Sequence, residues 1–198
     1  MTRTYHLKQR AQRQQATRQR IIEAAVELHT TLGPAQTTIS AIAQRAGVER
    51  LTLYRHFPDE HALLSACSSH YLSTHPLPDP TPWGLIADPQ ARLRRGLAEV
   101  YAYYRRTEQH MAALQRDAQV LPQLREFAAP YLERWGQMRA VLAAAWGGSA
   151  PKLPKLSAAL GHALDFQSWR SLVRQQGLED EQVVELMVGM VRCLVAGT

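Results

Sequence analysis

From about Gln14 onward the apolar residues Ile21, Ile22, Ala25, Leu28 and Leu32 recur at spacings of three and four, the period that lines one face of a helix, and the run stops at Gly33-Pro34. The pattern predicts a second, short helix after Thr37-Thr38, either of which supplies an N-capping hydroxyl, through Ile39, Ile42 and Ala43 to Gly47. A third follows at once and ends before Pro58. Asp59 N-caps a fourth, carrying Ala62, Leu63, Ala66 and Leu72, which ends in a loop holding Pro76, Pro78, Pro80 and Pro82. Beyond the loop, helices are predicted near 88–107, 109–119, 122–146, 155–176 and 179–196, with Gly147-Gly148 and Pro151/Pro154 separating the third of these from the fourth. No segment sustains the apolar/polar alternation of a half-buried strand, so the fold class expected is all-α. A boundary is placed at Pro58, giving a three-helix N-terminal domain over 1–58 and a helical C-terminal domain over 59–198.

Composition narrows the class without naming a chemistry. With 45% hydrophobic and 20% charged residues among 198, the chain reads as a soluble globular protein with a real core. No apolar run approaches the ~20 residues that cross a bilayer. The basic, polar N-terminus has no hydrophobic segment behind it, so a cytoplasmic location is expected. Cys67 and Cys193 stand apart in apolar helical patterns, as small buried hydrophobes do, rather than as a disulfide framework.

The net charge of +6 becomes informative once it is located. Residues 1–58 carry nine basic side chains (Arg3, Lys8, Arg10, Arg13, Arg18, Arg20, Arg45, Arg50, Arg55) against three acids (Glu23, Glu27, Glu49). The remainder carries fourteen of each sign. All the excess thus lies in the first third, the distribution of a nucleic-acid-binding module joined to a neutral partner domain. A solvated basic arm would account for Arg3 to Arg20 but not for Arg45, Arg50 and Arg55, which fall inside a folded segment.

Thr38 to Phe57, TISAIAQRAGVERLTLYRHF, meets the steric demands of a helix-turn-helix. Ala43 is small where two helices cross, and Gly47 sits in the turn where a positive φ is wanted. Ile39, Ile42, Val48 and Leu53 supply the apolar contacts, which leaves Arg50, Thr52, Tyr54, Arg55 and His56 available to face DNA. In such a motif the start of the second helix approaches base edges in the major groove while nearby hydroxyl and basic groups hold phosphates. Each of these residues has a plainer reading, Tyr54 as a half-buried aromatic and the arginines as a solvated helix face.

The run from Ile39 to Leu64, with AIAQRAGV and then TLYRHFPDEHALL, resembles the TetR family, over about residues 15 to 65. The resemblance implies nine or so helices, a homodimer built on the last two, and DNA binding controlled by a small-molecule effector, commonly as a repressor on a palindromic operator. Carried over, Thr38 resembles the family's phosphate-contacting N-cap, Arg50 and Thr52 its base-proximal positions, and Tyr54 and His56 its phosphate contacts, with Phe57 in the core. Two positions depart from the pattern: Leu51 stands where a small residue is usual, and Glu60 where a lysine commonly reaches a phosphate.

For the dimer, the last two predicted helices offer Leu160 and Leu164, then Val183, Met187, Met190 and Leu194, the last apolar face being too wide for one neighbour. Such faces also build an ordinary core within one chain. For the effector, the large side chains of the middle helices are Tyr101, Tyr104, Met111, Leu114, Trp135, Met138, Phe166 and Trp169, a stripe equally suited to core packing.

A competing class, an all-helical enzyme, finds no support in any catalytic motif: no GxGxxG or Walker-type loop, HExxH, G-x-S-x-G or CxxC occurs. No catalytic residue, cofactor or metal is therefore assigned. His61, Cys67, His70 and His75 cluster, and Cys67 and His70 share a helix face, but ligands confined to one helix do not easily close a tetrahedron. A ligand-independent architectural DNA-binding factor is the third reading, separated from the first by whether the middle helices hold a cavity for a small molecule. Within the DNA-binding reading, Glu60→Lys is expected to raise DNA affinity and steepen its salt dependence, measured by fluorescence anisotropy over a salt series; unchanged affinity at every salt would remove Glu60 from the interface.

Overall fold

A computed structural model describes residues 2–146 and 153–196 of the chain, and among them it forms nine α-helices and no strand. The chain divides into two units. The first comprises Met1–Pro76 and Gln109–Phe127, the second Leu77–Glu108 and Ala128–Thr198.

In the first unit, α1 (Thr2–Thr31) begins a dozen or so residues before the apolar pattern does. Its leading segment carries Arg3, Lys8, Gln9, Arg10, Gln12 and Arg13 and lacks Gly and Pro, so nothing stops a helix that the apolar face further along anchors. The basic arm is therefore helical. Ile21, Ile22 and Ala25 of α1 pack with Ile42 and Ala43 of α2 (Ile39–Ala46), Leu53 of α3 (Arg50–His56), and Leu63 and Cys67 of α4 (Glu60–Thr74) in one core. Leu32, which the periodicity placed on that face, is exposed instead, beyond the last helical residue. Because α4 closes this core, the division falls well after the expected boundary at Pro58: cutting there would bare Leu63 and Cys67. Burial also pushes the Cys67 thiol up to about 12, so it behaves as a hydrophobe.

The last part of α5 (Pro89–Asp117) belongs to this unit too, and it grips the turn after α1. Asp117 is buried, accepts a hydrogen bond from the Ala35 N–H at 2.8 Å, and pairs with Arg116 Nε at 2.7 Å. Arg116 Nη2 donates in turn to the Leu32 carbonyl at 2.7 Å. Gly33 has φ +96°, and a Cβ there would collide with the Arg116 guanidinium and the Asp117 carboxylate, so glycine is required on two counts.

Two buried histidines lie in the same packing. His110 of α5 sits 3.2 Å from the Thr30 hydroxyl and stacks on Tyr71 of α4 at 3.6 Å, whose ring also stacks on His75 at 4.2 Å. His29 of α1 is buried with Asp117 as its charged neighbour.

In the second unit the expected break near 108 is absent. The segment Arg105–Met111 contains no helix breaker, and Thr107 donates its hydroxyl to the Tyr103 carbonyl inside the helix, so α5 runs on without interruption. The segment predicted as helix from 122 begins instead as a 3-10 turn, Pro122–Ala128, assigned largely to the first unit, and α6 (Ala129–Ala144) starts with proline in its first turn. The Gly147-Gly148 and Pro151 break lies outside the described residues, while Pro154 stands in the first turn of α7 (Leu153–Ala163). The single helix expected over 155–176 is divided, because Asp165 caps α8 (Phe166–Arg174) by accepting from the Ser168 N–H at 2.8 Å. The described part ends with α9 (Asp180–Ala196). Its core gathers Trp83, Leu97, Tyr101, Tyr104, Met138, Leu160, Trp169 and Val183. Arg92 is buried among backbone carbonyls, donating to those of Ile86, Gly84 and Val141.

The buried histidines make stability depend on pH. Burial pushes each from the ordinary 6.5 to about 4, against the attraction of Asp117 for His29 and with the help of His29 and His75 for His110. Their contribution is complete above about pH 6.5 and is lost as pH falls through about 4, since in that window the unfolded chain binds protons that the fold refuses. Urea unfolding should lose about 1.4 kcal/mol per pH unit for each histidine across the window. His110→Gln should remove roughly half of that slope, and an unaltered slope would mean that His110 is not held neutral.

Candidate nucleic-acid interface

The helix-turn-helix is assembled from local rules. Thr38 has extended backbone and caps α2, its Oγ1 accepting from the Ala41 N–H at 3.1 Å, which leaves the hydroxyl proton free to donate outward. Gly47 ends α2 at φ +65°, and the Val48 N–H returns to the Ala43 carbonyl at 3.0 Å, turning the chain directly into α3. Leu53 and Phe57 point into the core at 1% exposure each, which fixes the rotation of α3 about its axis. Arg50, Leu51, Tyr54 and Arg55 are consequently exposed, with Thr52 and His56 half-buried beside them.

All six positions expected to meet DNA, Thr38, Arg50, Thr52, Tyr54, Arg55 and His56, therefore lie on the helix-turn-helix of one unit. The basic residues are not equivalent. Arg45 is engaged by Glu27, Nη2 to Oε2 at 2.6 Å and Nε to Oε1 at 3.1 Å, whereas Arg50 and Arg55 make no ion pair among the described residues. Their charge is available to an outside anion. Glu60, the residue that departs from the family's lysine, is exposed in the first turn of α4, behind the Asp59 cap.

One part of this surface escaped the sequence reading. Ala11, Gln14, Gln15 and Arg18 of α1 face Thr52, Arg55 and His56 of α3 across a polar cleft of about 470 Å³. Arg18 is steadied with its guanidinium 4.8 Å from the centre of the Phe57 ring. The signal that could have found them is the spacing 11, 14, 15, 18, which puts them on one helix face: Gln14, Gln15 and Arg18 lie within the predicted helix, and Ala11 joins them because the arm is helical as well.

The C-terminal candidates are distributed differently. Tyr101, Tyr104, Met138, Phe166 and Trp169 are buried in the second unit, with Trp135 half-buried against the Tyr103 and Tyr104 rings. Tyr101 and Tyr104 donate their hydroxyls to the carbonyls of Ala163 and Leu164. Met111 and Leu114 belong to the first unit, carried there by the unbroken α5, whereas the other six belong to the second. Of the expected interface residues, Leu160, Leu164, Val183 and Met187 fill the chain's own core and offer nothing to a second copy. Met190 is exposed, with Leu194 half-buried, and Leu186, one turn before Met190, is exposed as well. Among the described residues no three His, Cys, Asp or Glu side chains gather to hold a metal ion, and no helix is long and apolar enough to cross a membrane.

Residues 21–67, which contain this motif, match the family described as bacterial regulatory proteins, tetR family. No curated protein matches the chain. Among solved structures, it resembles a TetR-like transcriptional regulator from Rhodococcus sp. RHA1 at 18% identity, covering 92% of this chain and 97% of that one, with a TM-score of 0.63. It also resembles the TetR family transcriptional regulator PfmR from Thermus thermophilus at 19% identity, covering 86% and 96%, with a TM-score of 0.57. At this identity the two structures speak for the fold, and the match on residues 21–67 speaks for that segment. The chain thus has the fold of solved TetR-type regulators, and its helix-turn-helix segment is similar to that of the tetR family of bacterial regulatory proteins.

Proposed function

We propose that this protein works as a homodimeric repressor on a palindromic operator and is released by a small-molecule effector held in its second unit. The observation that carries the DNA part is the unpaired, exposed Arg50 and Arg55 on a helix whose rotation Leu53 and Phe57 fix. Such a helix presents its first residues to base edges, while Thr38, Tyr54 and His56 supply donors to phosphates on either side. The α1–α3 cleft extends the same surface toward the backbone.

The dimer rests on α9. With Val183 and Met187 turned inward, its outward face carries Leu186, Met190 and the exposed Cys193, one turn apart, flanked by the half-buried Gly189. A two-fold packing of this face on a second copy would bury an apolar stripe that is otherwise wet. Two recognition helices related by that axis would enter successive major grooves about 34 to 36 Å apart. An effector that favours a different spacing weakens DNA binding by its differential affinity for the two states, and DNA weakens effector binding by the same factor. Of the six candidate side chains in the second unit, Trp135 is the half-buried one, placed to meet a ligand without dismantling the core.

Selection from a random duplex pool at about 0.15 M salt should enrich a palindrome with half-sites one helical turn apart. No enrichment by folded protein would overturn the reading. On the selected site, Arg55→Ala should lower affinity and reduce the salt slope by about 1, while Arg45→Ala, already held by Glu27, should change both less. Leu186→Glu combined with Met190→Glu should convert the dimer to monomer in sedimentation and cost operator affinity; a dimer that survives both would move the interface off α9.

A further inference from the structure

Within the first unit, α1, the Pro34–Gln36 turn, α2, α4 and the chain at 121–123 surround a cleft of about 160 Å³. None of the six DNA-facing positions lines it, and it lies outside the unit to which the effector is assigned. Much of its wall is aliphatic, including Ile42, Leu63 and Leu121. His29 is the exception. It lines the cleft, is only 7% exposed, and makes no hydrogen bond among the described residues.

Among the described residues the fully buried side-chain atoms without a partner are Tyr103 Oη and Trp146 Nε1, so the His29 ring nitrogens keep some contact with solvent, and a ligand hydroxyl can take the place of water there. Burial keeps this one neutral at physiological pH, so it offers one N–H donor and one lone-pair acceptor. The one charged side chain on the lining is the exposed Glu60, while Asp117, which acts on His29, is already paired with Arg116. Glu60 disfavours an anion. The size sets a further limit, since an apolar cavity of about 150 Å³ is enough for benzene.

We propose that this cleft binds a neutral, ring-sized molecule bearing one hydroxyl group, a phenol or small aryl alcohol, with the hydroxyl on the His29 imidazole and the ring against Ile42, Leu63 and Leu121. Its occupant lies between α2, which carries the first half of the helix-turn-helix, and α4, which closes the core beneath it. The site is thus a second input to the DNA-binding unit, separate from the one in the C-terminal helices, and does not depend on that one being occupied.

Heteronuclear NMR on the isotope-labelled full chain tests this with three probes of one size. Phenol should give saturable shifts at the Ala35, Leu63 and Gln123 amides and at the His29 ring. Toluene, which lacks the hydroxyl, should bind roughly fivefold more weakly at the same residues. Benzoate should give no saturable shift there. In His29→Phe the difference between phenol and toluene should vanish; should that variant not fold, the three-probe series on the natural sequence decides alone. The proposal fails if phenol gives no saturable shift at these residues, if phenol and toluene bind equally well to the natural chain, or if benzoate competes with phenol.

Discussion

The DNA-binding unit depends on one buried carboxylate. Asp117 ends α5, where the helix dipole is itself negative, and its side chain is almost wholly removed from water. A charge there is tolerable only if hydrogen bonds replace its hydration. The Ala35 N–H and the Arg116 guanidinium supply them, and Arg116 extends the connection to the Leu32 carbonyl. These bonds tie the end of α5 to the turn between α1 and α2, the point from which the helix-turn-helix departs. Gly33 is what lets the two side chains come so close. Thr37 continues the same turn by donating its hydroxyl to the Gly33 carbonyl at 2.8 Å, and Thr38 then caps α2, so the path from α5 to the first DNA-facing residue is hydrogen-bonded throughout.

Charge pairing decides which cations this surface can offer. An arginine already matched by a carboxylate gains less from a phosphate than one that is not, because the first pair must be broken or shared. Glu27 holds Arg45 back against α1, while α3 has no acid within its own span to do the same for Arg50 and Arg55. Arg18 rests on the Phe57 ring, an arrangement that steadies the guanidinium without neutralising it. The charge left unmatched on this surface is therefore that of Arg50 and Arg55 on α3 and of Arg18 on the facing part of α1.

Where the sequence was legible, a local rule acted alone. Thr38 and Asp59 cap the helices expected of them, and Gly33 and Gly47 take the positive φ that their turns demand. Where it was not, a distant contact outweighed the local signal or no local signal existed. The part of α1 before Gln14 has no apolar period to announce it, only a tract that a helix tolerates. The division of α7 from α8 rests on Asp165 inside a run with continuous helical period, where the apolar spacing carries on across the cap and hides it. The boundary was set at Pro58 because a proline punctuates the chain, yet packing follows Leu63 and Cys67 across it. At the α9 face the stronger apolar stripe, Val183, Val184, Met187 and Val191, goes to the chain's own core, which leaves the weaker stripe of Leu186 and Met190 outside. Period alone cannot rank two stripes on one helix. The DNA-facing residues were the most legible part of the site because one buried pair, Leu53 and Phe57, determines which side chains α3 turns outward.

An apolar seam would have joined α5 to α1 and α4 more cheaply than histidines and an aspartate do, so the polar groups need a reason. Apolar contacts such as Met111 and Ala113 tolerate sliding, because one aliphatic neighbour serves nearly as well as the next. The polar groups do not. Moving α5 by one turn would take His110 from the Thr30 hydroxyl and the Tyr71 ring, and would leave Asp117 charged, buried and without the Ala35 N–H. Each of those losses costs a few kcal/mol, comparable to much of the stability of a domain this size. The seam therefore has one register, held by the penalty on every other. A unit that must present α3 at a fixed angle to a groove about 12 Å wide gains more from that single register than from a stronger seam with several.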